Sequence, residues 1–152
     1  MKRRSTILAF LLAVLLWSAA PAAAQHESEW IVVTLARDGS WGVGTAEHYG
    51  PALASALRKC NAMSKEESDC GAEVTAVKRG WTLGILCGDH RVLVAEPDLA
   101  TAILEAEARQ AYLRDRYGDS LPGCLRVVTI DPDGFATPAK KKWGTVRTGP
   151  DK

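Results

Sequence analysis

The sequence predicts an α+β domain: an antiparallel sheet of about six strands with two helices packed on one face. Three observations carry this expectation. Trp30–Ala36 and Trp81–Cys87 are rich in β-branched and aromatic residues, the composition that suits a pleated, half-buried surface. Two stretches, Ala52–Met63 and Leu99–Tyr117, repeat apolar residues at helical spacing. The order strand, strand, helix, strand occurs twice, opened by Trp30 and Trp81. In the two copies Asp38 and Asp89 fall at the same offset in the hairpin turns, and Cys70 and Cys124 begin the closing strands. Two copies of a ~50-residue pattern fit one pseudo-symmetric domain better than an array.

The chain opens with Met1-Lys2-Arg3-Arg4, an apolar run from Ile7 to Trp17, and Ala22-Ala23-Ala24. A basic start, a short apolar segment and small residues before a cut are the marks of a cleaved secretory leader. The run falls short of the ~20 residues that span a bilayer. Residues 1–24 are therefore read as a signal peptide, residues 25–134 as a single domain, and residues 135–152 as a basic flexible tail. The mature protein is expected in the periplasm or secreted, without stable membrane insertion. Loss of Lys2, Arg3 and Arg4 takes 19 cations below 18 anions and the net charge to about −2, so nothing marks the chain for nucleic acid.

From Gln25 to Glu29 the chain is polar. Trp30–Ala36 is the first strand, Arg37-Asp38-Gly39-Ser40 a hairpin turn, and Trp41–Ala46 a second strand. Gly42 and Gly44 in that strand point to a bulge or to close approach by another backbone. Pro51 suits the first turn of a helix, which has no bond for its missing N–H. Leu53, Leu57 and Cys60 then share one face. Ser64–Asp69 is an acidic loop, Cys70–Lys78 a third strand, and Arg79-Gly80 the next turn.

Trp81, Leu83, Ile85 and Cys87 alternate with smaller or more polar residues, a period of two. Gly88-Asp89-His90 turns the chain into Arg91–Ala95. Asp98 is placed to cap the longest helix, in which Leu99, Ile103, Ala106, Leu113 and Tyr117 share a face. Gly118 ends it. Cys124–Ile130 is the last predicted strand, stopped by Asp131-Pro132-Asp133-Gly134. Beyond Thr137 the chain turns to Lys, Pro and Gly, with Lys140-Lys141-Lys142 beside Trp143.

Four cysteines, Cys60, Cys70, Cys87 and Cys124, form an even set in an exported chain, and none are spaced Cys-x-x-Cys. Disulfides are expected rather than zinc or redox chemistry. The repeat topology favours 60–70 and 87–124. A 70–87 bond across the Arg79-Gly80 turn is the rival, because those strands would be neighbours in one sheet.

Trp30 to Gly88 resembles the domain-of-unknown-function family 4189 of small secreted bacterial proteins. The resemblance rests on a Trp-led strand, Gly39-Ser40-Trp41-Gly42, the helix end Ala56-Leu57-Arg58-Lys59-Cys60, Asp69-Cys70, and Cys87-Gly88. It departs in the bulky Ile31-Val32-Val33 and in a second helix without cysteine. What it implies is a small exported fold; it brings no activity.

No nucleophile elbow, zinc-binding His-Glu-x-x-His or calcium loop occurs. No catalytic residue, metal or cofactor is assigned. Trp41, His48, Tyr49 and His90 are the candidate binding surface, since aromatic residues at strand ends serve either a contact surface or a core. The reading is of a non-enzymatic binding domain that meets a periplasmic protein or envelope component through a sheet face or hairpin tips. An inhibitor or immunity protein for an envelope enzyme is its specific form. Two alternatives stand beside it: a small hydrolase using His48 or His90 with carboxylates, and a purely structural envelope protein.

Overall fold

The computed structural model describes residues 29–64 and 69–142. Strands β1 (Trp30–Leu35) and β2 (Trp41–Ala46) form a hairpin, helix α1 (Tyr49–Met63) follows, and β3 (Val74–Lys78) closes the first unit. The second unit repeats the order with β4 (Trp81–Cys87), β5 (His90–Glu96), α2 (Leu99–Tyr117) and β6 (Cys124–Ile130), then adds β7 (Ala136–Lys142). In both units the closing strand returns to the free edge of the opening strand: β1 pairs with β2 and β3, and β4 with β5 and β6, all antiparallel. The α+β class and the twofold repeat are thus present.

The arrangement differs from the expected single sheet. There are two sheets, ordered β2-β1-β3 and β5-β4-β6-β7. Their inner faces pack on each other through Ile31, Val33, Leu35, Val43, Leu93, Val128 and Ile130. Helix α1 covers the outer face of the first sheet over Val32, and α2 the outer face of the second over Leu83, Ile85, Val92 and Val94. The helices therefore lie on opposite outer faces, not on one face. The reason is in β1, where five of six residues are buried. A strand apolar on both sides needs cover on both sides, and one helix supplies only one. The chain changes sheet at Arg79-Gly80, where Arg79 adopts φ 57°. Consequently β3 and β4 are not ladder neighbours, and the rival 70–87 bond loses its premise. Cys60 is bonded to Cys70, and Cys87 to Cys124.

The helices sit on small residues. In α1 the fully buried positions are Ala52, Ala56 and Cys60, with Leu53 only packed at the edge of that core. Helix α2 is capped as expected: the Asp98 carboxylate accepts from the Thr101 backbone N–H at 2.9 Å and from its hydroxyl at 2.7 Å. Tyr117, placed on the buried face by periodicity, is 38% exposed. In β6 the register shifts around Val127. That bulge lets Cys124 face α2 while Val128 and Ile130 face the other sheet, because one extra residue reverses the side to which every later side chain points.

The stretch read as a tail begins with a strand. Asp131 N–H donates to the Phe135 carbonyl and Gly134 N–H to the Asp131 carbonyl, closing a three-residue turn with Gly134 at φ 81°. Residues 136–142 then pair with β6 as β7. The Lys-rich composition pointed to a frayed end, but Pro132-Asp133-Gly134 is a hairpin turn of the same kind as Arg37-Asp38-Gly39. The predicted signal peptide, His26 and Trp143 lie outside the described residues.

Asp69 fastens the two units. Its carboxylate accepts from the Arg37 backbone N–H at 2.9 Å and pairs with the side chains of Arg37 and Arg91. The Arg37 N–H does most to hold its pKa below the usual 3.8; burial opposes it, and the side chains of Arg91 and Arg37 add to the lowering. A lowered folded-state pKa means that the contribution is complete above the unfolded value and is lost as pH falls through the folded one. Asp69→Asn is expected to flatten the acid limb of stability: its urea midpoint should change less than wild type between about pH 5 and pH 3. An unchanged acid limb would remove Asp69 as its source.

Candidate functional site

The four residues singled out from the sequence do not converge. Hydrogen bonds and ion pairs from Arg37 and Arg91 to Asp69 place the β1–β2 and β4–β5 turns at one end of the sandwich. Trp41 and His90 belong to that end. His48 and Tyr49 follow the C-terminal end of β2 and lie at the other. Trp41 packs partly buried against the core between the sheets. His90 stacks on Tyr117 with ring centroids 4.3 Å apart. His48 is the N-cap residue of α1 and makes no side-chain cap bond. Tyr49 meets Trp30 edge-on at 6.0 Å, and the Lys78 ammonium lies 5.2 Å from the Trp30 ring centre. Among the described residues neither His48 nor His90 hydrogen-bonds a carboxylate.

A concave site exists where sequence reasoning did not look. The start of β1, the end of β2 and the β6–β7 turn enclose a cleft of about 270 Å³ lined by Glu29, Ile31, Thr45, Pro132, Asp133 and Phe135. One wall comes from each sheet, so the cleft marks the mouth of the sandwich. Its far wall is held by Asp131, whose Oδ1 accepts from the backbone N–H groups of Asp133 at 3.0 Å and Phe135 at 2.9 Å. One carboxylate oxygen thereby fixes both sides of the turn tip. Gly134 lets the turn lie against β2, since a Cβ there would meet Thr45 Cγ2 at 2.6 Å.

Phe135 is left 72% exposed, the most exposed large apolar side chain among the described residues. Ile31 and Pro132 give the cleft apolar walls, and Glu29 and Asp133 give it carboxylates. Such a lining suits an apolar or cationic side chain of a partner. It contains no histidine, cysteine or lysine. Among the described residues no three His, Cys, Asp or Glu side chains gather as a metal site would require.

No protein-family model, characterised protein or solved structure matches the chain. The resemblance noted above therefore rests on its own residues, and the structure gives those residues building roles. Ser40 closes the first turn through Asp38, which accepts its N–H at 2.8 Å and its hydroxyl at 3.0 Å. Gly42 seats α1, Cys60 and Cys70 bond each other, and Cys87 bonds Cys124. Motifs that build a scaffold say little about what the scaffold binds.

The cleft was missed for a physical reason. Its two walls lie about ninety residues apart in the chain and meet only because the sheets stack. The available signal was Asp131-Pro132-Asp133-Gly134 followed by an aromatic residue, a turn tip carrying a large apolar side chain. No helix among the described residues is long and apolar enough to cross a membrane.

Proposed function

We propose that the chain is an exported, disulfide-stabilised binding domain of the bacterial periplasm, belonging to the family it resembles. Its partner is a protein of the cell envelope, met through the β6–β7 tip and the adjoining cleft. In its specific form the domain is an inhibitor or immunity protein that occupies an envelope enzyme. The observation that carries the reading is Phe135. A phenylalanine 72% exposed on a turn fixed by Asp131 is pre-organised to anchor in a partner's pocket, and aromatic anchors commonly dominate interface energy. Two disulfides in a small domain suit an oxidising compartment, as does the leader read from residues 1–24.

Crosslinking in the periplasm followed by identification of the captured protein tests this reading. Wild type is expected to capture one envelope protein. Phe135→Ala should weaken that capture by about 2 kcal/mol or more, roughly thirtyfold, with the urea midpoint unchanged. Equal capture by Phe135→Ala would exclude the hairpin tip, and no protein captured by wild type would exclude the function.

A further inference from the structure

The cleft at the mouth of the sandwich joins apolar walls to a carboxylate without a partner. Ile31, Pro132 and the Phe135 ring line it, and Thr45 adds a hydroxyl. Asp133 is fixed there through its backbone, whose N–H donates to Asp131 Oδ1 at 3.0 Å. Among the described residues its carboxylate meets no hydrogen-bond or ion-pair partner. Glu29 lines the cleft too but has a contact of its own, so Asp133 is the charge that calls for a counterion. No basic residue lines the cleft. The cations where β3 ends are engaged: Lys78 lies over the Trp30 ring, and Arg79 has a contact of its own.

We infer, on the binding reading above, that the cleft receives an arginine side chain of the partner protein. An apolar occupant would strip water from Asp133 and leave its charge unpaired, a cost that a cation removes. Arginine also meets the rest of the lining. Its methylene stem suits apolar walls such as Ile31 and Pro132, and its guanidinium stacks on an aromatic ring such as Phe135. Its fork of N–H groups matches a carboxylate, and it is less strongly hydrated than the lysine ammonium, so it enters a half-dry cleft at lower cost. The source is a peptide chain and not free arginine. With no basic lining residue, the carboxylate of the free amino acid would find no partner and would be repelled by Glu29 and Asp133.

Heteronuclear NMR titration of the oxidised protein with Nα-acetylarginine N-methylamide tests it. The backbone amides of Thr45, Gly134 and Phe135 should shift with a dissociation constant of about 1–10 mM, as befits one side chain without the rest of an interface. The matching lysine and norleucine amides, and free arginine, should each bind at least about threefold more weakly. Asp133→Asn should weaken the arginine probe roughly fivefold. That variant keeps the backbone N–H that Asp131 holds, and an otherwise unchanged amide spectrum establishes that the turn is intact. No shift of these amides at about 100 mM probe overturns the inference. So does a control compound that binds as tightly as the arginine probe, or an Asp133→Asn affinity equal to wild type. The two readings fail apart. A titration that fails while wild type still captures its envelope protein overturns the arginine and leaves the binding domain. A wild type that captures nothing while the titration succeeds overturns the protein partner and leaves the arginine selectivity of the cleft.

Discussion

Alanine at Gly42 or Gly44 is expected to destabilise the domain by about 3 kcal/mol or more. A Cβ on Gly42 would sit 1.9 Å from the Ala56 carbonyl oxygen and 2.7 Å from the Cys60 nitrogen. A Cβ on Gly44 would sit 1.9 Å from the Ala52 carbonyl oxygen. These obstacles are helix backbone, so no side chain can swing aside. Helix α1 would have to lift from β2, and its C-terminal end is tied by the Cys60–Cys70 bond. Lifting would also open the contacts of Ala52 and Ala56, both fully buried beside Val32. Gly50→Ala is the control: nothing lies within 4 Å of a Cβ there, and in the first turn of a helix alanine is expected to be neutral or stabilising by up to about 1 kcal/mol. Urea unfolding of the three variants decides the matter. Equal midpoints for Gly42→Ala, Gly44→Ala and wild type would show that the helix can yield.

The same two glycines show what the sequence could convey. Gly42 and Gly44 in a strand announce a close approach, but not what approaches. The answer lies in the alanines of α1, which read as generic helix formers until a glycine strand is set beneath them. The twofold repeat was legible because each unit carries its own landmarks: Trp30 and Trp81 open the hairpins, and Asp38 and Asp89 mark the turns.

Stacking of the sheets was less legible. The run Ile31-Val32-Val33 is apolar on both sides of the strand, a sign of double cover that competes with the reading of a one-faced sheet. Position of the cleft depends on that stacking, so missing the one meant missing the other. The role of Asp69 was likewise hidden. In the chain it is the last member of an acidic loop, and only the fold brings Arg37 and Arg91 to it.

Removing the Cys87–Cys124 bond is the other change with a large expected effect. Cys87 and Cys124 face each other directly across the β4–β6 ladder, with Cα atoms 4.0 Å apart and a sequence separation of 37. The loop they close contains β5 and α2, so the bond constrains most of the second unit in the unfolded chain. On loop-closure entropy its loss should cost about 4 kcal/mol, against about 3 kcal/mol for Cys60–Cys70, whose separation is 10 residues. Burial widens the difference: Cys87 and Cys124 pack with Leu83, Ile85 and Val92 in the core under α2, and truncation leaves space there. A domain of this size has a total stability of about 5–15 kcal/mol, so Cys87→Ala/Cys124→Ala should approach unfolding at physiological temperature. Cys60→Ala/Cys70→Ala should remain folded but lose part of its acid sensitivity, because Cys70 anchors the residue next to Asp69. Chemical denaturation of both double variants at neutral and acid pH separates the two roles. If the 60–70 variant proves the less stable, loop closure is not the controlling effect, and the seat of α1 on Gly42 and Gly44 is what the disulfides protect.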